Sequence, residues 1–390
     1  MGRDRPHHRG RDELVTRVVI ATQYWRPYRS GLTLMEAAVA EALAAQGHEV
    51  TAVVGRHDPA LPAREVINGV EVVRVPVRAR IDRALVAPSL VPTAARLARA
   101  ADVFVIPLPL PEAAPLALAV GRGTRVVVHF HCDPELERGG LAARAALAAM
   151  DGSARVALRR ADTITVTSRD YAEHSRVMAD RAAQAETIPP MVGEREWPSA
   201  VVDPSMVAAM APPPALRVGF LGRLTHEKGV DRLIEAAGRM SAPVQVVIAG
   251  DSAEAAGRGL WPTLESLAVA RRVDVRYLGP LDDDQVAPFL SAIDVLALPS
   301  VNALEAWGRV QAEAMLCGTP VIASALPGVR TLITATGMGL LVEPGDIAGL
   351  RDALDEVAAD RDGFIRTRAE VITDLGLDTA LDRHVAAVLG

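Results

Sequence analysis

Short apolar runs alternate with amphipathic stretches along most of the chain. Val18-Val19-Ile20-Ala21 reads as a buried strand, and after a polar loop Leu32, Met35, Val39 and Leu43 recur at helical spacing until Gly47 stops the helix. Val50–Val54, Val70–Val75, Asp102–Ile106, Arg125–Phe130 and Thr163–Thr167 continue as strands, with helical stretches between several of them. Between Pro189 and Pro214 the periodicity breaks over Pro198, Pro204 and a Pro-Pro-Pro run at 212–214, the pattern of an interdomain linker. A second series then gives strands at Val218–Leu221, Val244–Ala249, Val273–Tyr277, Asp294–Leu298 and Pro320–Ala323. Its first helix carries Val230, Leu233, Ile234 and Ala237 on one face.

Continuous apolar strands alternating with helices imply parallel sheets covered on both faces, so the fold class is α/β with two Rossmann-like halves. The expected boundaries are a basic tail at 1–14, a first domain at 15–190, a linker at 191–214, a second domain at 215–375, and a closing helix at 376–390 that crosses back to the first domain. Such folds bind ligands beyond the carboxyl ends of their strands, which places the site in the cleft between the halves.

Composition narrows the function. A length of 390 residues suits two domains, and a half-apolar chain with only 3% aromatic residues favours α/β over a β-sandwich. A net charge of −6 without a basic block excludes a nucleic-acid partner. Cys132 and Cys317 lie far apart with no Cys-x-x-Cys pattern, so neither a disulfide framework nor a zinc site is signalled and a reducing cytoplasm fits. The Arg- and His-rich start reads as a disordered tail rather than a signal peptide, and Pro6 stands where myristoylation requires Ser or Thr. No apolar run approaches the ~18 residues of a membrane span, since Arg144 and Asp151 interrupt the Ala-rich stretch near Leu141. Arg144, Arg155, Arg159 and Arg160 read as a solvated helix face, leaving membrane contact at most peripheral.

Neither half has Gly-x-Gly-x-x-Gly after its first strand or a Walker loop, which removes the dehydrogenase and P-loop readings. The strongest local signal is Gly222-Arg223-Leu224-Thr225-His226-Glu227-Lys228-Gly229, between a strand and a helix. Arg grips phosphate bidentately, Lys adds a point charge and a helix start attracts anions, so this loop can hold a diphosphate; the alternative is a turn with solvated charges. A second signal follows strand Asp294–Leu298, where Glu305 and Glu313 are eight positions apart. With a helix starting near Gly308, Glu313 lies roughly 8 Å along it while Glu305 stays in the loop. One acid can then meet a sugar and the other a ribose.

In these motifs the chain resembles glycosyltransferase family 4, whose members share the GT-B fold and retain anomeric configuration. The resemblance rests on the Gly222–Gly229 loop, Gly250-Asp251 after a strand, the Glu305/Glu313 pair, Cys-Gly-Thr-Pro-Val-Ile at 317–322 and Gly-Leu-Leu-Val-Glu-Pro-Gly-Asp at 339–346, and covers most of 216–358. It implies transfer of a hexose-type sugar from a nucleotide-diphosphate donor, held by the second domain, to a hydroxyl of a glycan, lipid or small-molecule acceptor on the first. By the same resemblance Arg223 and Lys228 bind the diphosphate, Glu305 the sugar hydroxyls and Glu313 the ribose diol. Backbone amides at Gly308, Arg309 and Val310 face the phosphates, Gly222, Gly250 and Leu278 complete the donor site, and Gly31 allows close approach.

The family's His at the end of a first-domain strand corresponds to His131, which joins Arg223, Lys228 and Glu305 in the catalytic set. His129 is expected to be a buried His hydrogen-bonded across the domain cleft, and Cys132 an inert small residue. No cofactor is expected beyond the nucleotide-sugar substrate, and no metal: Asp282-Asp283-Asp284 reads as a helix start rather than a magnesium site. The chain departs from the family at Arg29-Ser30-Gly31-Leu32, where many members carry Gly-Gly, and at Trp307 and Arg309, where Phe and an aliphatic residue are frequent, which implies an unusual donor or acceptor preference. Competing readings are a sugar-nucleotide epimerase of the same architecture, a pseudo-glycosyltransferase that couples non-sugar rings on the same scaffold, and a non-catalytic sugar-nucleotide binder.

Overall fold

The computed structural model describes residues 15–81, 84–134, 140–192, 215–252, 259–302 and 304–390, together with Met206, Met210 and Pro212. The basic tail at 1–14 and most of the linker at 191–214 lie outside the described residues. In chain order the first half supplies β1 (Arg17–Ala21), β2 (Glu49–Gly55), β3 (Arg64–Ile67), β4 (Val70–Val75), a small hairpin of β5 (Ala79–Ile81) and β6 (Ala84–Val86), then β7 (Val103–Leu108), β8 (Arg125–Phe130), β9 (Thr163–Val166) and β10 (Glu186–Thr187). Eight of them form one sheet in the order β10-β9-β8-β7-β1-β2-β4-β3, parallel except for β3 against β4. The second half supplies β11 (Leu216–Leu221), β12 (Val244–Ala249), β13 (Asp274–Gly279), β14 (Val295–Leu298), β15 (Val321–Ser324) and β16 (Gly339–Val342), an all-parallel sheet in the order β13-β12-β11-β14-β15-β16. Two Rossmann-like α/β halves are therefore present.

Helices cover both sheets. The first half carries α1 (Gly31–Ala45), α2 (Leu90–Ala98), α3 (Ala113–Leu118), α4 (Leu141–Arg160) and α5 (Arg169–His174). The second carries α6 (Val230–Ala237), α7 (Trp261–Arg271), α8 (Asp283–Ala292), α9 (Arg309–Leu316), α10 (Arg330–Thr336), α11 (Ile347–Ala359) and α12 (Arg368–Leu375), and α13 (Ala380–Leu389) follows. Strand pleating divides the first core: Val19 and Ala21 face one layer with Phe104, while Val18 and Ile20 face the other with Val39 and Leu43 of α1. Val385 and Val388 of α13 join this second layer, and Arg383 Nη2 donates to the Thr187 carbonyl at 2.7 Å, so α13 packs on the first half.

Local chemistry explains two starts that bear on the cleft. Ser30 is the N-cap of α1: its hydroxyl accepts from the Thr33 amide at 3.2 Å, and its own amide donates to Thr33 Oγ1 at 2.8 Å. A Gly at that position would lack the capping side chain. Asp282 caps α8 in the same reciprocal way with Gln285, and Asp283 reaches Arg29 of the first half. A second bridge between the halves is bidentate, from Arg330 to Asp170 at 3.0 and 2.6 Å, with the Gly328 amide donating to the same carboxylate at 2.7 Å. Burial alone would raise the Asp170 carboxyl, but these donors outweigh it and lower it. Among the described residues, no helix is long and apolar enough to cross a membrane.

Candidate active site

Two glycines bring the charged loops of the second half together. Gly229 has φ +67, and a Cβ there would stand 2.1 Å from the Pro299 carbonyl oxygen, so the loop after β11 can lie against the loop after β14. The Val301 amide seals this contact by donating to the Glu227 carbonyl at 2.9 Å. Gly308, at φ +74, would meet Leu298 and Gln311 at 2.6 Å if it carried a side chain, and it starts α9 while leaving Glu305 in the loop before it. The product is an ion pair between Lys228 Nζ and Glu305 Oε2, with Ser300 Oγ donating to the same oxygen at 3.4 Å. Both members are mostly shielded from solvent, which strengthens their attraction.

The pair borders a cleft of about 430 Å³ between the halves, where seven of the residues singled out by sequence meet: Gly31 and His131 from the first half, and Arg223, Lys228, Glu305, Gly308 and Arg309 from the second. Five others do not line it. Gly222 and Gly250 pack backbone on backbone at the ends of β11 and β12, and a Cβ on Gly250 would lie 1.8 Å from the Gly222 carbonyl oxygen. Leu278 and Val310 pack at the margin of the second core. Glu313 is buried and paired with Arg309 Nε at 3.1 Å, because one helical turn sets it over that residue. Among the described residues, no group of His, Cys, Asp or Glu side chains is arranged to hold a metal ion.

The wall opposite the ion pair contains a charge that the sequence did not announce. Strand periodicity puts His129 on the face of β8 shared by Val127 and α1, and His131, the residue just past the strand end, continues on the same side. There Glu36 of α1, fully buried, accepts from His129 Nδ1 at 3.0 Å and from His131 Nε2 at 2.9 Å. Burial would raise this carboxyl, but the electrostatic attraction and hydrogen bonds of the two imidazoles beside it outweigh that and hold it at about 2. His129 is buried, but the bond across the cleft expected from sequence is not made; its partner comes from its own half because α1 covers that face of β8. Behind it, His384 of α13 meets the His129 ring edge-on, centroids 5.8 Å apart, and bonds the Pro189 carbonyl through Nε2 at 3.2 Å. Burial and the neighbouring His129 push the His384 pKa down to about 3, so this ring is neutral.

The signal for Glu36 lay in the helix pattern. Leu32, Glu36, Val39 and Leu43 occupy one stripe at i, i+4, i+7 and i+11, and a carboxylate on a buried stripe requires a partner. Sequence reasoning also passed over Tyr24 and Tyr28, whose rings stack at 4.2 Å and line the first-half side of the cleft. Burial raises the Tyr24 hydroxyl pKa, leaving the ring as a neutral, amphipathic wall.

Two family models match the chain, "Glycosyl transferase 4-like domain" over residues 30–191 and "Glycosyl transferases group 1" over residues 211–373. Among curated relatives, the 2-deoxystreptamine N-acetyl-D-glucosaminyltransferase of Streptomyces fradiae is 32% identical over 249 residues, 60% of this chain and 58% of that one. The D-inositol 3-phosphate glycosyltransferase of Corynebacterium urealyticum is 34% identical over 154 residues, 37% of this chain and 35% of that one. The chain thus matches between about a third and three fifths of the length of these relatives. Among solved structures, sucrose-phosphate synthase from Thermosynechococcus elongatus superposes with a TM-score of 0.74 at 21% identity over 96% of both chains. Anabaena Alr3699/HepE in complex with UDP-glucose does so with a TM-score of 0.68 at 19% identity, over 96% of this chain and 99% of that one. With one family model on each Rossmann-like half and the cleft between them, the chain belongs to the GT-B glycosyltransferases of family 4.

Proposed function

We propose that the chain transfers a hexose-type sugar from a nucleotide-diphosphate donor to a hydroxyl of a small polyol ring, with retention of configuration and without a metal ion. The observation that carries this reading is the Lys228–Glu305 pair beside Arg223, facing His131 across the cleft. Charge develops on the departing diphosphate as the anomeric carbon–oxygen bond breaks, and Arg223, Lys228 and the amides at the start of α9 are aimed to stabilise it. The acceptor oxygen bonds to the anomeric carbon on the face the phosphate leaves, and its proton passes to a phosphate oxygen. Glu305 holds sugar hydroxyls and, with the donor absent, neutralises Lys228. No carboxylate is assigned as a covalent nucleophile.

Both curated relatives are named for acceptors that are six-membered carbocyclic polyols, and the stacked Tyr24 and Tyr28 offer an aromatic wall to such a ring. A cleft of about 430 Å³ suits a small acceptor. The HepE complex supports UDP as the first base to try. A thermal-shift screen against UDP-, GDP-, ADP- and TDP-sugars identifies the donor as the ligand that raises Tm most. Turnover is then followed with inositol, aminocyclitol and sugar acceptors. Nucleoside diphosphate release that depends on acceptor and survives EDTA, with an NMR-assigned retained anomer, supports the proposal. Interconversion of free nucleotide sugars would mean an epimerase, binding without turnover a non-catalytic binder, and dependence on magnesium or manganese would remove the metal claim.

A further inference from the structure

Glu36 stands at the junction of three separate segments and belongs to none of the family motifs recognised in the sequence. It is fully buried, and its side chain is bonded from β8 and the residue that follows it: His129 Nδ1 reaches both carboxylate oxygens at 3.0 Å and His131 Nε2 reaches one at 2.9 Å. His384, on α13, lies behind His129 and is committed to the Pro189 carbonyl. An ionised carboxylate only accepts hydrogen bonds, so His129 must carry its proton on Nδ1 and His131 on Nε2. His131 also lines the cleft, and Nδ1 is the ring nitrogen not committed to Glu36. The bond made by one imidazole nitrogen dictates what the other can do.

We propose that Glu36 is a positioning residue for His131, holding Nε2–H inward so that Nδ1 is presented to the cleft as a hydrogen-bond acceptor for a sugar hydroxyl. This rests on the reading of His131 as a contact of the reacting sugar. His129 is the second anchor, a bond to both carboxylate oxygens that keeps Glu36 from turning. No proton is transferred; the hydroxyl donates and Nδ1 accepts. Glu36→Gln keeps the shape but supplies an amide donor, which lets His131 take the opposite tautomer and show Nδ1–H to the cleft.

The test combines spectroscopy and kinetics on the full chain. Nitrogen-15 histidine spectra of the wild type, assigned with His129→Gln and His131→Ala, are expected to show an Nε2–H tautomer for His131 and an Nδ1–H tautomer for His129. Glu36→Gln should lower kcat about 10- to 100-fold, the scale of one lost hydrogen bond to a reacting group, with donor KM within about 3-fold. The double variant Glu36→Gln/His131→Ala should be no slower than His131→Ala alone, because Glu36 acts through His131. An Nδ1–H or doubly protonated His131 in the wild type overturns the proposal, as do effects of the two substitutions that multiply. If Glu36→Gln does not fold, the wild-type spectra still decide. A wild type that releases no nucleoside diphosphate with any donor and acceptor refutes the proposed function instead and leaves the tautomer result standing.

Discussion

The second half draws its cleft residues from two short stretches, 223–228 and 300–309, whereas the first half assembles its buried cluster from positions 36, 129, 131 and 384. On the second-half wall Lys228 pairs with Glu305 of the neighbouring loop at the edge of the cleft, and Arg309 pairs with Glu313 buried behind it. On the first-half wall the charge is sealed from solvent and one ring, His131, emerges. One wall is therefore arranged to exchange its partners for a ligand, while the other is arranged to keep them. Lys228 can leave Glu305 for a phosphate at modest cost, since both ends remain near the cleft. Glu36 cannot leave its histidines without stranding a buried charge.

The largest expected effect tests the exchangeable wall. Arg223→Ala and Lys228→Ala should each lower kcat/KM about 100- to 1000-fold with Tm nearly unchanged, the usual scale for removing one stabiliser of a departing anion. Near-normal kcat/KM with the true donor in both variants would show that this wall does not hold the diphosphate.

Next comes the sealed wall, which acid should attack. The folded His384 pKa near 3 lies below the ordinary 6.5, so the unfolded chain takes up this proton first and stability falls as pH drops below 6.5. By pH 4.5 that single group accounts for a loss on the order of 2–3 kcal/mol. Glu36 works in the same direction lower down, its stabilisation being lost as pH falls from 4.5 towards 2. Urea titrations at pH 7 and pH 4.5 should show the loss, and His384→Gln should reduce it. An unchanged pH dependence in that variant would place the acid sensitivity elsewhere.

A smaller effect separates the two acids of the second half. Glu305→Gln should slow transfer while leaving nucleoside diphosphate affinity within about 3-fold, because its assigned contact is the sugar. Glu313→Gln should weaken nucleoside diphosphate binding, and because Glu313 is also buried against Arg309 it should lower Tm as well. Calorimetry giving the opposite order would exchange their roles. The smallest effect concerns neither wall but the contact between halves: Asp170→Asn should cost about 1 kcal/mol, read as a lowered Tm. A larger loss of activity than of stability there would mean that the Arg330 bridge also sets how the walls meet.

The same contrast decided what could be read in advance. Strands Val70–Val75, Arg125–Phe130 and Val244–Ala249 coincide with their apolar runs because parallel strands buried on both faces leave an uninterrupted signature. β3 and the β5–β6 hairpin escaped notice: Arg64–Ile67 is half exposed and Ala79–Ile81 exposed, so neither carries a run. Loops whose ligating groups follow one another in sequence put Arg223, Lys228 and Glu305 within sight. Glu313 was also visible and its i, i+4 spacing from Arg309 legible, but its burial away from the cleft was not, because that depends on how α9 packs. Glu36 was hidden because its meaning comes from residues 93 and 95 positions away.

Helix α13 follows the second half in the chain yet covers the first, its His384 meeting Pro189 across 195 positions. During synthesis the first sheet therefore emerges from the ribosome with part of its α1 layer bare. Its cover arrives only after every strand of the second sheet has been made. Contacts this remote close slowly and leave apolar surface open to aggregation or chaperones in the interval. The first half consequently completes its core only once α13 has been made, and Val385 and Val388 tie a segment that follows the second half to the folding of the beginning.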